Sequence, residues 1–101
     1  MVNSQKPRLS TMRRVPRQVK LTITQEHIDS CRCPITLAVR QRLPSATFIS
    51  VDLQTIRYSL PEYGRRFVWF TPSAGQAFLR YHDGRREKEL RPFTMTLRRM
   101  A

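Results

Sequence analysis

Val19, Leu21 and Ile23 alternate with Lys20 and Thr22, the period of a strand with one face in a core and the other in water. The folded part of the chain is therefore expected to begin at Gln18. Thr24 reads as a helix N-cap, with Gln25 and Glu26 placing polar and acidic groups in the first turn of a short helix. Pro34 fits the first position of a second helix, where its missing N–H is not needed. Ile35, Leu37, Ala38 and Val39 give that helix an apolar side, Arg40 and Arg42 lie near its end, and Pro44 stops it.

The middle of the chain reads as sheet. ATFISVDL and TIRYSL are rich in β-branched and aromatic residues. In the first, Phe48 and Ile49 are followed by Val51 and Leu53; in the second, Ile56, Tyr58 and Leu60 share one face while Arg57 and Ser59 share the other. The link through Asp52, Leu53 and Gln54 is short enough for a hairpin or meander. Gly64 permits a turn before a third strand, RRFVWF. Thr71 and Ser73 are alternative caps for a helix with Pro72 near its start. Ala74, Ala77, Phe78 and Tyr81 supply an i, i+3, i+4, i+7 stripe, and Gly84 is placed as the C′ residue. Phe93, Met95 and Leu97 alternate with Thr94, Thr96 and Arg98 as a last strand. This order predicts an α+β fold: a small, mostly antiparallel sheet with two or three short helices on one side.

A chain of 101 residues can bury one sizeable core, so residues 18–101 are assigned to a single domain. Residues 1–17 contain Lys6, Arg8, Arg13, Arg14 and Arg17, no acid, and two prolines. Their few large apolar side chains predict a flexible basic arm. No apolar run approaches the ~20 residues of a membrane span, and the N-terminus has no apolar core of a secretory signal. Cys31 and Cys33 are too few and too close for a disulfide framework. A reducing cytoplasm is the expected compartment.

Three residues of types that bind metals or act as nucleophiles cluster at His27, Cys31 and Cys33. A structural zinc needs four ligands, and the fourth would have to be the distant His82 or come from a second chain. The alternative is that Cys33 caps or packs the Pro34 helix. Cys–His catalysis would also need an orienting group and an oxyanion hole; Asp29 lies within the same short helix, and no nucleophile-elbow, phosphate-loop or zinc-protease motif is present. Glu26 with Asp29 is more simply an acidic helix start. No enzyme activity, catalytic residue, cofactor or metal is expected.

Charge is the strongest signal. Nineteen Lys and Arg against seven Asp and Glu give +12, which favours a polyanion or an acidic protein surface as partner. The charge concentrates at the ends: +6 in the first twenty residues, +2 over 21–79 and +4 over 80–101. Arg65 and Arg66 precede Phe67, Trp69 and Phe70, with Tyr63 close by; Arg85, Arg86, Lys88 and Arg91 surround the last helix–strand loop; Arg98 and Arg99 extend the last strand. Cations interleaved with aromatics suit a single-stranded nucleic acid. Phe67 and Trp69 share a strand face, however, and such a pair serves equally as core. No sequence-reading consensus of the common nucleic-acid-binding modules is present.

Thr24 to Ile28 (TQEHI), Cys33 to Ala38 (a C-P-I-x-x-A helix start), the Ala-Phe-Leu helix end that closes on Asp83 and Gly84, and Pro92 to Leu97 together resemble a set of short bacteriophage proteins. The likeness covers about two-thirds of the chain and rests on caps, core positions and a turn glycine. It implies a shared fold. This chain departs from the set at Arg85, Arg86 and Lys88, where the set tends to be acidic, and in its basic arm, so a changed partner is expected. The expected function is non-enzymatic binding of nucleic acid, DNA or RNA, through backbone phosphates, using the arm and the C-terminal basic loop and strand. The alternative is an anti-defence or host-takeover inhibitor, of the anti-CRISPR kind, that docks on a host nucleoprotein complex. Either would work in the host cell cytoplasm. Mimicry of DNA is excluded by the sign of the charge, no membrane partner is expected, and an exposed strand edge leaves room for a homodimer.

Overall fold

A computed structural model of the chain describes residues 17–30, 32–84 and 90–99. Five strands form one antiparallel sheet in the order β1-β5-β4-β3-β2. They are β1 (Gln18–Ile23), β2 (Thr47–Val51), β3 (Thr55–Leu60), β4 (Arg65–Phe70) and β5 (Phe93–Arg99). Three helices complete the α+β fold: α1 (Gln25–Asp29), α2 (Pro34–Arg42) and α3 (Ser73–Asp83). A 3-10 turn at Pro61–Tyr63 and a left-handed Gly64 (φ +62°) reverse the chain between β3 and β4. None of the described helices is long and apolar enough to cross a membrane.

Alternation decides which side of the sheet is covered. Val19, Leu21 and Ile23 are buried in β1, and they pair in register with Leu97, Met95 and Phe93 of β5. On the other half of the sheet Ile56, Tyr58 and Leu60 pair with Trp69, Phe67 and Arg65. Helices α1 and α2 supply Ile28, Ile35, Ala38 and Val39 to this core, and α3 supplies Phe78 and Leu79. The centre is aromatic. Trp69 and Tyr58 are essentially inaccessible, Phe67 stacks on both within 6.2 Å between ring centroids, and Trp69 Nε1 donates a 2.8 Å hydrogen bond to the Tyr58 hydroxyl. That bond satisfies two polar atoms where water cannot reach.

The start of α1 is closed by a capping box. Thr24 Oγ1 accepts the His27 N–H, and His27 Nδ1 accepts the Thr24 N–H at 3.0 Å. Because Nδ1 is an acceptor, the neutral ring carries its proton on Nε2, which donates to Gln41 Oε1 at 2.7 Å on α2. His27 therefore ties α1 to α2.

Helix α3 corrects three expectations. Neither Thr71 nor Ser73 caps it: Pro72 is the N-cap, and the Thr71 hydroxyl instead donates to the Asp52 carbonyl at 2.8 Å. The buried stripe is Gly75, Phe78 and Leu79, while Ala74, Ala77 and Tyr81 face outward. Gly75 lies against β5: a Cβ there would come within 2.9 Å of Met95 Sδ, so a larger residue would require the flexible end of the Met95 side chain to shift. Gly84 ends the helix with φ −82°, not in the left-handed region. Residues 1–17, expected as a flexible basic arm, lie outside the described residues apart from Arg17.

Trp69→Ala should cost about 3–5 kcal/mol in a chemical denaturation series. Tyr58→Phe, which leaves the indole N–H unpaired, should cost about 1–3 kcal/mol. Burial pushes the Tyr58 hydroxyl up to about 12, against the opposing pull of its Trp69 bond. A raised folded-state value gives stability that is complete below about 10 and is lost between about 10 and 12. The melting temperature should therefore fall more steeply above pH 10 in the native chain than in Tyr58→Phe.

Candidate nucleic-acid interface

The helices leave the second face of the sheet bare. Its positions follow from the same alternation: Lys20 and Thr22 on β1, Thr94, Thr96 and Arg98 on β5, Arg66, Val68 and Phe70 on β4, and Thr55, Arg57 and Ser59 on β3. None of the five strands contains an acid. The acids among the described residues lie on α1 (Glu26, Asp29), in the β2–β3 turn (Asp52), in the 3-10 turn (Glu62) and at the end of α3 (Asp83).

Strand β4 meets β5 through two pairs only, Trp69 with Arg99 and Phe70 with Arg98. One continuous row therefore crosses four strands, Gln18–Arg98–Phe70–Thr55. To one side of it lies the β1–β5 wing with Lys20; to the other lies the β2–β3–β4 wing with Arg57 and Arg66. At about 4.8 Å between strands and about 3.3 Å per residue, Lys20, Arg98, Phe70 and Arg57 fall on a diagonal about 20 Å long.

Two of these cations are held by hydroxyls. Arg66 Nη1 donates to Ser59 Oγ at 3.2 Å, and Arg57 Nη2 donates to Ser50 Oγ at 3.1 Å and lies 3.7 Å from Asp52 Oδ2. The Nε of Arg57 is buried with no hydrogen-bond partner among the described residues. Asp52 has a local task as well. Its Oδ1 accepts the N–H groups of Thr55 at 2.7 Å and Gln54 at 2.8 Å, closing the hairpin turn. Those two bonds, with a smaller contribution from Arg57, hold its carboxyl below the ordinary aspartate value. The turn is thus firmest above that value and weakens as acid protonates Asp52.

The structure sorts the sequence-predicted residues unequally. Arg65 and Arg66 project to opposite faces, as do Arg98 and Arg99, so each doublet contributes one cation to the bare face. Arg65 instead lies over the Phe67 ring, 5.3 Å from its centroid, and Arg99 is half-buried opposite Trp69. Arg17 immediately precedes β1 beside the Arg98 row. Lys6, Arg8, Arg13, Arg14, Arg85, Arg86 and Lys88 lie outside the described residues. Phe67 and Trp69 are core and cannot receive a base, which settles that pair of alternatives. The bare face also holds Arg57, which the sequence does not mark as a binding residue, Lys20, which the sequence groups with the arm, and Phe70, which it groups with Phe67 and Trp69. Strand parity held the signal, because Phe70 is out of phase with Phe67 and Trp69 and in phase with Arg66.

Of the residues with metal-ligand or nucleophile character, Cys31 lies outside the described residues. Cys33 is half-buried against the core at the N-cap of α2, without a side-chain capping bond. It shares an open groove with Asp52, His82 and Asp83. No three such groups converge to hold a metal ion among the described residues, and both His27 ring nitrogens are engaged in hydrogen bonds.

Edge strand β2 carries a bulge. Thr47 pairs with Ser59 and Ser50 with Arg57, so Phe48 and Ile49 together oppose Tyr58. Ile49 packs on the core, while Phe48 is 80% exposed at φ +52°. A β-branched or aromatic residue is strained there.

Comparison with protein-family models, curated proteins and solved structures finds no match to this chain.

Phe48→Gly should leave stability unchanged or raise it by up to about 1 kcal/mol, because the strain relieved offsets the added freedom of the unfolded chain. Urea denaturation of the two proteins checks this. A large loss would mean that the exposed ring braces the bulge.

Proposed function

We propose that the protein is a non-enzymatic, cytoplasmic nucleic-acid-binding module, and that the bare face of its sheet receives the phosphate backbone. The observation that carries this reading is the sign of that face: Lys20, Arg98, Arg66 and Arg57 on four strands, with no acid in any strand. A surface kept only for solubility mixes its signs. The threonines and serines between the cations add neutral donors suited to phosphate and sugar oxygens. The basic arm joins the fold at Arg17, one residue from the Gln18–Arg98 pair, so its cations are tethered at the same row.

The reading has a salt signature. Each phosphate neutralised on a single strand contributes about −0.7 to the slope of log K against log salt. The triple variant Lys20→Gln, Arg66→Gln, Arg98→Gln should flatten the measured slope by about 2 and weaken binding at low salt, with the fold intact by circular dichroism. Arg57 is spared because it braces the hairpin. An unchanged slope in the variant overturns the assignment of the face. Failure of the native chain to bind DNA or RNA at low ionic strength overturns the reading as a whole, and leaves an acidic protein surface as the complement of the same charge.

A further inference from the structure

Phe70 is half exposed (50%) on β4, an interior strand, at the midpoint of the cationic diagonal. An isolated exposed phenylalanine carries no message; its position carries one here. Arg98 is its direct cross-strand partner on one side and Thr55 on the other. Along the diagonal, Arg57 lies about 8 Å from Phe70 in one direction and Lys20 about 12 Å in the other, beyond Arg98. An exposed aromatic ring is thus bracketed by guanidinium and ammonium groups on a surface whose other residues are mostly threonine and serine.

Resting on the reading just given, we propose that the occupant of this face is a single strand of nucleic acid, with one base stacked on Phe70 and the flanking phosphates on Lys20 and Arg98 at one end and Arg57 at the other. A duplex offers Phe70 no free base face. Its bases are stacked on each other, and its major groove admits a helix or a two-stranded ribbon but not the broad face of a five-stranded sheet. A single strand can splay a base outward, and every base has a π-face, so stacking tolerates any sequence. The half-exposed Val68 next to Phe70 on the same face widens the apolar platform.

The test uses the full chain with a 12-nucleotide oligo-dT, a 12-nucleotide oligo-U, a 12-base-pair DNA duplex and a single strand carrying 2-aminopurine. The native chain should prefer the single strands to the duplex and quench the 2-aminopurine. Phe70→Ala should lose about tenfold or more in single-strand affinity with its melting temperature, its duplex affinity and its salt slope unchanged, and it should no longer quench. Phe70→Tyr should restore both affinity and quenching. Tighter binding to oligo-dT or to oligo-U supports the proposal and assigns the sugar. Undiminished single-strand affinity in Phe70→Ala overturns the stacking proposal while leaving the phosphate reading standing; absence of binding by the native chain overturns both. A dimer that Phe70→Ala dissociates, with no oligonucleotide bound, overturns the proposal in favour of a second copy as occupant.

Discussion

Three helices packed on one side of a five-stranded sheet leave its other side to water, and much of this molecule follows from that imbalance. Side chains alternate along every strand, so each residue added to the core places its neighbour on the bare face. The core side is filled by Trp69, Tyr58, Phe67 and the aliphatic residues around them. The bare side must remain hydrated without gaps in the backbone hydrogen bonding. It does so with threonine and serine, which keep strand geometry, and with long basic side chains whose stems cover the backbone while their charges reach solvent. The aromatic centre makes this arrangement rigid, because the Trp69–Tyr58 hydrogen bond joins β3 and β4 under the face they present.

Charge is partitioned by the same geometry. The described acids sit on helices and turns, and the strands carry cations alone. In the hairpin turn between β2 and β3 the acid Asp52 reaches the rim of the sheet, and there it is occupied by two backbone N–H groups and by Arg57. A net charge that looks terminal when summed along the chain is, in three dimensions, also a property of one surface.

The architecture was legible in the sequence wherever one period ran unbroken. Val19–Leu21–Ile23, Ile56–Tyr58–Leu60 and Met95–Leu97 are buried as their alternation implies, and Gly64 takes the left-handed turn. It failed where a contact between distant residues outweighed a local preference. The buried stripe of α3 runs through Gly75, Phe78 and Leu79, and the packing of Gly75 against Met95 is a contact that helical spacing cannot reveal. Thr71, a good cap by type, was drawn to the Asp52 carbonyl. The bulge at Phe48 and Ile49 left two consecutive apolar residues with opposite fates, one packed and one in solvent. The candidate site was half legible. Doublets such as Arg65–Arg66 read as a cluster in one dimension, yet a strand sends their members to opposite faces. Arg57 stands alone in sequence and Lys20 groups with the arm's cations, and only strand pairing brings them into line with Arg98.

The order of the strands has a further bearing on how the chain reaches this state. Thr22 and Thr94, whose hydroxyls meet at 3.3 Å, are 72 positions apart, whereas β2, β3 and β4 follow one another as a meander. Loop-closure entropy makes the β1–β5 ladder the costly pairing and the meander the cheap one. The full Gln18–Arg98–Phe70–Thr55 row is therefore complete only when β1 docks on β5, the strand remotest from it in sequence. A circular permutant that links Arg99 to Gln18 through a short turn would convert that ladder into a hairpin, shifting the folding nucleus from the meander to the former ends and shortening the search that now limits assembly.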